Sequence, residues 1–239
     1  MKFNAVAFDL DGTLYPNYRF YIRLLPFLLK NQRLLRAMGK ARAQLRKYGG
    51  YGDDFYETQA AIMGKVLGES TESAKEKTER LIYRGWEPIF KKVKLFPYVK
   101  ETLEAFRKAG IKLGLLSDFP VEAKLVNLGI SGYWDTVLSS ELTGRLKPDP
   151  SSFLELAKRM EMPPDQILYV GNSLPYDVEG AQKAGMKAGF VRTGWKKLKP
   201  IYAGVSKSTG RVVKTGRILG TQPDICFSDY RQLTDYVLN

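Results

Sequence analysis

The chain has 239 residues, 44% hydrophobic and 26% charged, which suits a soluble globular protein of one large domain or a full domain plus a small one. It has no histidine and one cysteine, Cys226, so Ser-His-Asp and Cys-His catalysis, His-ligated zinc, an internal disulfide and cysteine-ligated clusters are all excluded. The net charge of +13 is local: nine basic residues and no acid lie between Arg19 and Lys47, and seven more without an acid lie between Lys196 and Arg217.

Residues 3–8 form an apolar run that stops at Asp9, and they predict a buried strand ending in a turn at Gly12. From about 17 to 95 the texture is helical and no strand is expected. Leu24, Leu25, Leu28, Leu34, Leu35, Met38 and Leu45 recur at helical spacing among Arg and Lys, and Pro26 is expected to kink or restart this helix. Gly49, Gly50 and Gly52 interrupt the pattern before a second helical run, Phe55 to Leu67. Ser73 with Glu76 resembles a capping box opening a third.

After Pro97 helices and strands alternate. A helix marked by Val99, Leu103 and Phe106 ends at Gly110, and residues 111–116 follow as a strand. Pro120 suits the first position of a short helix bearing Val121, Leu125 and Leu128. Residues 136–139 read as a strand, and Asp149-Pro150 as the cap and first residue of a helix carrying Phe153, Leu156, Ala157 and Met160. Strands at 167–170, 188–192 and 225–227 and a helix at 229–238 complete the pattern. The alternation predicts an α/β protein with a parallel sheet covered on both faces, and a helical insertion after its first strand. Segment 195–223, rich in Gly, Ser, Thr and Lys, reads as an exposed loop or hairpin. The opening residues do not have the form of a signal peptide, and no window reaches the length of a membrane span without charges. With the lone cysteine, read as a small buried apolar residue beside Phe227, this points to a reducing, cytoplasmic setting.

Four features fall at the ends of predicted strands, where ligands bind in an open parallel sheet. Asp9 and Asp11, in Asp9-Leu10-Asp11-Gly12-Thr13, pair a potential nucleophile with a proton-exchanging carboxylate two residues on. Ser117 offers a hydroxyl and adjacent backbone N–H groups to a phosphate, although Asp118 beside it is unhelpful for an anion unless it caps a helix. Lys147 is presented rigidly by the two prolines of Lys147-Pro148-Asp149-Pro150 and could neutralise phosphoryl charge. Gly171-Asn172-Ser173 with Asp177 offers oxygen ligands to a hard cation such as Mg²⁺. Taken singly, the last three also read as ordinary helix starts.

Together, FDLDGT (8–13), LLSD (115–118), KPDP (147–150) and GNSLPYDVEGAQKAG (171–185) closely resemble the haloacid dehalogenase superfamily, in the branch with a helical cap inserted after the first motif. The resemblance covers 1–15 and about 96–192. It implies a Rossmann-like core formed by 1–15 and 96–239, an all-α cap over 16–95, and 195–223 as a basic insertion in the core. It implies that Asp9 forms an aspartyl-phosphate and also ligates Mg²⁺, and that Asp11 is the general acid/base with its backbone carbonyl on the metal. Ser117 and Lys147 would bind the phosphoryl group, with Thr13 and Asp118 also on the substrate side, and Asn172 and Asp177 would complete the metal site. The family usually has Asp where this chain has Asn172, which removes one negative charge and predicts functional but weaker metal binding.

Asp11 favours phosphoryl transfer over dehalogenation, because the superfamily's dehalogenases do without the second aspartate and a halide needs no proton donor. The expected activity is hydrolysis of a small phosphorylated metabolite. The two basic stretches, if they flank the mouth, would steer a polyanionic one. The loop Tyr48–Asp54 is a candidate to reach into the crevice, or merely a connection between helices. Alternatives are a phosphosugar mutase, a dehalogenase, or a non-catalytic module that uses its basic helix on nucleic acid or an anionic membrane surface.

Overall fold

The computed structural model describes residues 3–49, 54–192 and 222–239. In chain order the elements are β1 (Ala5–Phe8), α1 (Asn17–Lys30), α2 (Gln32–Tyr48), α3 (Phe55–Leu67), α4 (Thr71–Thr78), a π-helical turn (Glu79–Tyr83), α5 (Arg84–Phe90), α6 (Val99–Lys108), β2 (Lys112–Ser117), α7 (Glu122–Leu128), β3 (Thr136–Ser139), α8 (Pro150–Arg159), β4 (Ile167–Gly171), α9 (Glu179–Lys183), β5 (Lys187–Val191), β6 (Ile225–Phe227) and α10 (Tyr230–Leu238).

The six strands form one sheet in the order β3-β2-β1-β4-β5-β6, and every neighbouring pair is parallel. Because side chains alternate along a strand, one set of residues faces each layer. Val6, Phe8, Leu113, Leu115, Leu168 and Val170 pack against α6, α7 and α10 through Leu103, Phe106, Leu125, Leu233 and Val237. Ala5, Ala7, Leu116, Tyr169, Ala188 and Phe190 face the other way, onto α8 and α9 through Phe153, Leu156, Ala157 and Ala181. A strand buried on both faces has no polar positions, which is why β1 reads as an unbroken apolar run. Cys226 is partly buried and packs against the second of these layers.

Between β1 and α6 the described residues are helical, as expected, with a core of their own in which Leu34, Ala37, Met38, Ala41, Met63, Ala74 and Ile82 pack together. Four local expectations need correction. The basic helix is two helices: the break comes at Asn31, whose backbone N–H and side-chain amide both donate to the Phe27 carbonyl, at 2.9 and 3.0 Å. Pro26 lies inside α1 without restarting it. The helix expected at Ser73 is capped by Ser70, whose hydroxyl accepts from the Ser73 N–H, while the Ser73 hydroxyl donates to Glu69. Pro120 precedes α7 rather than opening it, since the helix begins at Glu122. At α8 the expectation holds: Asp149 caps by accepting from the Ser151 N–H, and Pro150 is the first helical residue. Most of 195–223, including the second basic stretch, lies outside the described residues, as do the Gly50–Asp53 positions of the Tyr48–Asp54 loop. Asp54 caps α3.

Strand order reverses between β1 and β4, so the crevice at their carboxyl ends is the switch point where a ligand sits in such a sheet. Phe8 is level with Leu115 on one side and Val170 on the other, and the Asp9 N–H continues the ladder to the Val170 carbonyl at 2.9 Å. Asp9 therefore emerges between the ends of β2 and β4, beside Ser117 and Asn172.

Candidate active site

Asp9 is buried and held from both oxygens. Thr13 Oγ1 donates to Oδ2 at 2.6 Å, and Lys147 Nζ donates to Oδ1 at 2.7 Å. The same ammonium donates to Asp177 Oδ1 at 2.7 Å and to Tyr169 Oη at 3.2 Å. Burial works against a charged Lys147, but Asp177 and Asp9 outweigh it and hold its pKa well above the usual lysine value. Burial pushes the Asp9 carboxyl up, against the attraction of Lys147 and with help from Asp177 and Asp11, to about 7. The other oxygen of Asp177 accepts the Asn172 and Ser173 N–H groups at 3.1 and 2.9 Å. Gly171 makes this possible: a Cβ there would collide with the Asp177 side chain.

Asp11 faces a different set. Lys124 Nζ contacts both carboxylate oxygens at 3.0 and 2.8 Å, Ser117 Oγ donates to Oδ2 at 3.2 Å, and Tyr15 Oη donates to Oδ1. Burial would raise Asp11, but the Lys124 cation and these donors outweigh it and keep its pKa below the ordinary carboxylate value. The Asp11 carbonyl is approached by the side-chain amides of Asn172 and Asn17, at 3.2 and 3.4 Å. Gly12, at φ +87°, leaves room for both amides, where a Cβ would clash.

The four predicted features thus meet in one crevice. Two substrate-side residues have protein partners of their own. Thr13 orients Asp9. Asp118 has both oxygens engaged, one by Arg46 at 2.7 Å and the other by Ser140 Oγ and the Lys147 N–H at 2.7 and 3.1 Å. It braces the loop that carries Lys147. Arg42 on α2 is buried, paired with Glu141, bonded to the Asp118 carbonyl and seated 4.0 Å above the Phe119 ring. Arg42 and Arg46, two of the nine cations in the first basic stretch, therefore tie the helical insertion to the rim of the crevice.

Sequence reading missed Lys124, Tyr15, Tyr169 and the Arg42–Glu141 pair. Tyr15 stands four residues after Asp11 and was legible as a neighbour of the motif. Lys124 is one lysine on a short helix, and only the folding of α7 over the crevice brings it to Asp11.

The oxygen donors at the base of the crevice are Asp9, Asp177 and the Asp11 carbonyl; Asn172 turns its amide nitrogen to that carbonyl, and its oxygen would face a cation only with the amide turned over. An all-oxygen set suits Mg²⁺, and the crowding of Asp9 by Asp177 and Asp11 is the negative charge that a cation would offset. Among the described residues no three His, Cys, Asp or Glu side chains gather as a metal cluster.

Beside Asp11 a cavity of about 390 Å³ opens between the insertion and the core.

This architecture and site match a known family. A haloacid dehalogenase-like hydrolase model matches residues 3–185, and the chain belongs to that family of hydrolases. It is 30% identical over 205 residues to a glyceraldehyde 3-phosphate phosphatase of Methanopyrus kandleri, covering 80% of this chain and 84% of that one. It is 28% identical to a phosphoglycolate phosphatase of Vibrio vulnificus, covering 99% and 97%. Its fold superposes on a 2-haloacid dehalogenase from Pseudomonas syringae with a TM-score of 0.62 at 24% identity, covering 99% and 98%. No described helix is long and apolar enough to cross a membrane.

Proposed function

We propose that the protein is a Mg²⁺-dependent phosphomonoester hydrolase that works through an aspartyl-phosphate on Asp9. The observation that carries this reading is the Lys147 ammonium bridging Asp9 and Asp177 at 2.7 Å each, with Asp11 two residues on. Asp9 Oδ attacks phosphorus as the P–O bond to the alcohol breaks, and Asp11 gives its proton to the departing oxygen. Water then attacks the aspartyl-phosphate, Asp11 takes up the proton, and Asp9 leaves as carboxylate. Lys147 and Ser117 hold the phosphoryl oxygens. Asp9, Asp177, the Asp11 carbonyl and Asn172 would hold Mg²⁺, which supplies positive charge against the phosphoryl group. Lys124 keeps Asp11 ionised at rest, so a substrate that displaces Lys124 also raises Asp11 and readies it to donate. The division into a core of 1–15 and 96–239 and a cap of 16–95 belongs to the same reading, supported by the separate apolar core of the helices. So does a cytoplasmic setting, in keeping with the single cysteine.

The test is phosphate release from an aryl phosphate with and without Mg²⁺. Metal-dependent release is expected, and release that ignores the metal refutes the reading. Two further outcomes are expected. A metal ligand must be ionised, so protons compete with Mg²⁺ below the Asp9 pKa of about 7. The Mg²⁺ concentration giving half-maximal rate should therefore fall as pH rises from about 6 to 8, by up to about tenfold per unit on the acid side. A requirement independent of pH rules out Asp9 as a ligand. Second, Asn172→Asp restores a negative donor beside the Asp11 carbonyl and should lower that Mg²⁺ concentration by about tenfold or more. A titration that superposes on the wild type means that position 172 does not touch the metal.

A further inference from the structure

The cavity beside Asp11 starts at the group that protonates the leaving oxygen, so the alcohol part of a substrate extends into it. Its lining is chemically one-sided. Eight of its eighteen residues are aromatic. Phe20 and Phe90 stack at 4.9 Å between ring centroids, and Trp86 packs against Phe20 at 5.6 Å and Phe119 at 6.5 Å.

Its charges do not favour an anion. Four carboxylates and two cations line it. At rest Lys124 pairs with Asp11 at 2.8 Å, and Arg84 with Glu79 and Glu87 at 2.9 and 3.4 Å. Even with Lys124 released by protonation of Asp11, a carboxylate or second phosphate entering here would meet three glutamates against two cations, of which Arg84 is paired. None of the nine cations between Arg19 and Lys47 lines the cavity.

We propose that this cavity receives an aromatic ring, and that the substrate is a phosphomonoester of a ring-bearing alcohol. The volume is that of a small-ligand pocket, and stacked aromatic walls favour a flat apolar occupant. This rests on the phosphatase reading and replaces the polyanionic substrate expected from net charge.

The experiment compares kcat/KM for benzyl phosphate and 2-phosphoglycolate, both esters of unactivated primary alcohols, so that leaving-group chemistry is matched. The wild type should prefer benzyl phosphate by at least about tenfold. That ratio should drop at least about fivefold in Trp86→Leu, and also fall in Tyr21→Ala, whose side chain lines the cavity yet is 53% exposed, so its truncation leaves the core intact. If both esters are hydrolysed with a ratio below ten, the aromatic assignment is wrong and the phosphatase reading stands. A high ratio unmoved by either variant places the ring elsewhere and also overturns it. Hydrolysis of neither ester alongside Mg²⁺-dependent hydrolysis of an aryl phosphate overturns the aromatic assignment alone, and hydrolysis of none of the three overturns both.

Discussion

Asp9→Asn should lower Mg²⁺-dependent phosphate release by at least about a thousandfold, the scale seen when a covalent nucleophile is removed. An amide nitrogen or carbonyl cannot form the acyl phosphate, so nothing else in the crevice takes over the first step. The substitution is close to isosteric. Thr13 Oγ1 can still donate to the amide oxygen, which turns the amide NH₂ toward the Lys147 ammonium, while Asp177 at 2.7 Å remains the counter-charge of Lys147. A circular dichroism spectrum and melting curve close to the wild type's would assign the loss to chemistry. Asp11→Asn separates the second role. It should cost about 10²–10⁴-fold on an unactivated ester and much less on p-nitrophenyl phosphate, whose leaving group departs without a proton. The measurements are single-turnover rates on both esters for the three proteins. Turnover that survives in Asp9→Asn would refute the covalent mechanism, and an Asp11→Asn loss equal on both esters would remove Asp11 from proton transfer.

The core was legible because its signals are local. An apolar run stopping at Asp9 has one role in a parallel sheet, and Asp149-Pro150 opens α8 by cap chemistry that needs no tertiary context. The candidate site was legible in part for the same reason: Asp9 and Asn172 follow β1 and β4 directly and Ser117 ends β2, whereas Lys147 and Asp177 lie further along the connections after β3 and β4. What escaped depends on distant packing. Lys124 reaches Asp11 across 113 positions, and Arg42 reaches Glu141 across 99. Neither pair leaves a mark in spacing. The helix break at Asn31 was missed because Pro26 is the stronger local signal, yet α1 runs through it. The net charge and the cavity point in different directions. Net charge is a sum over the surface, whereas the cavity at Asp11 has its own balance, set by Glu79, Glu87 and Glu122 against Arg84 and Lys124.

Lys147→Met tests whether the lysine that organises the site also holds the fold. Methionine has similar length and no charge, so Asp9 and Asp177 would remain buried with their shared counter-charge gone. Breaking a buried ion pair from one side costs about 3–5 kcal/mol, and urea unfolding in Mg²⁺-free buffer at neutral pH should show a loss of that order. The sign of its pH dependence follows from Asp9. Its pKa in the folded chain is already raised to about 7 by burial with Lys147 in place, and removing the cation raises it further. A carboxyl with a raised folded-state pKa favours the folded state while protonated and opposes it as pH climbs from the unfolded-state value toward the folded one. The Asp9 part of the Lys147→Met deficit should therefore grow as pH rises through about 7, where Asp9 ionises in the folded wild type and stays protonated in the variant, and shrink as pH falls below it. A variant as stable as wild type at neutral pH would mean that the two carboxylates share a proton or reach water without Lys147, and would remove the lysine from the framework of the site. A deficit that did not change with pH would reduce it to lost packing against Tyr169, 3.2 Å away, rather than uncompensated charge.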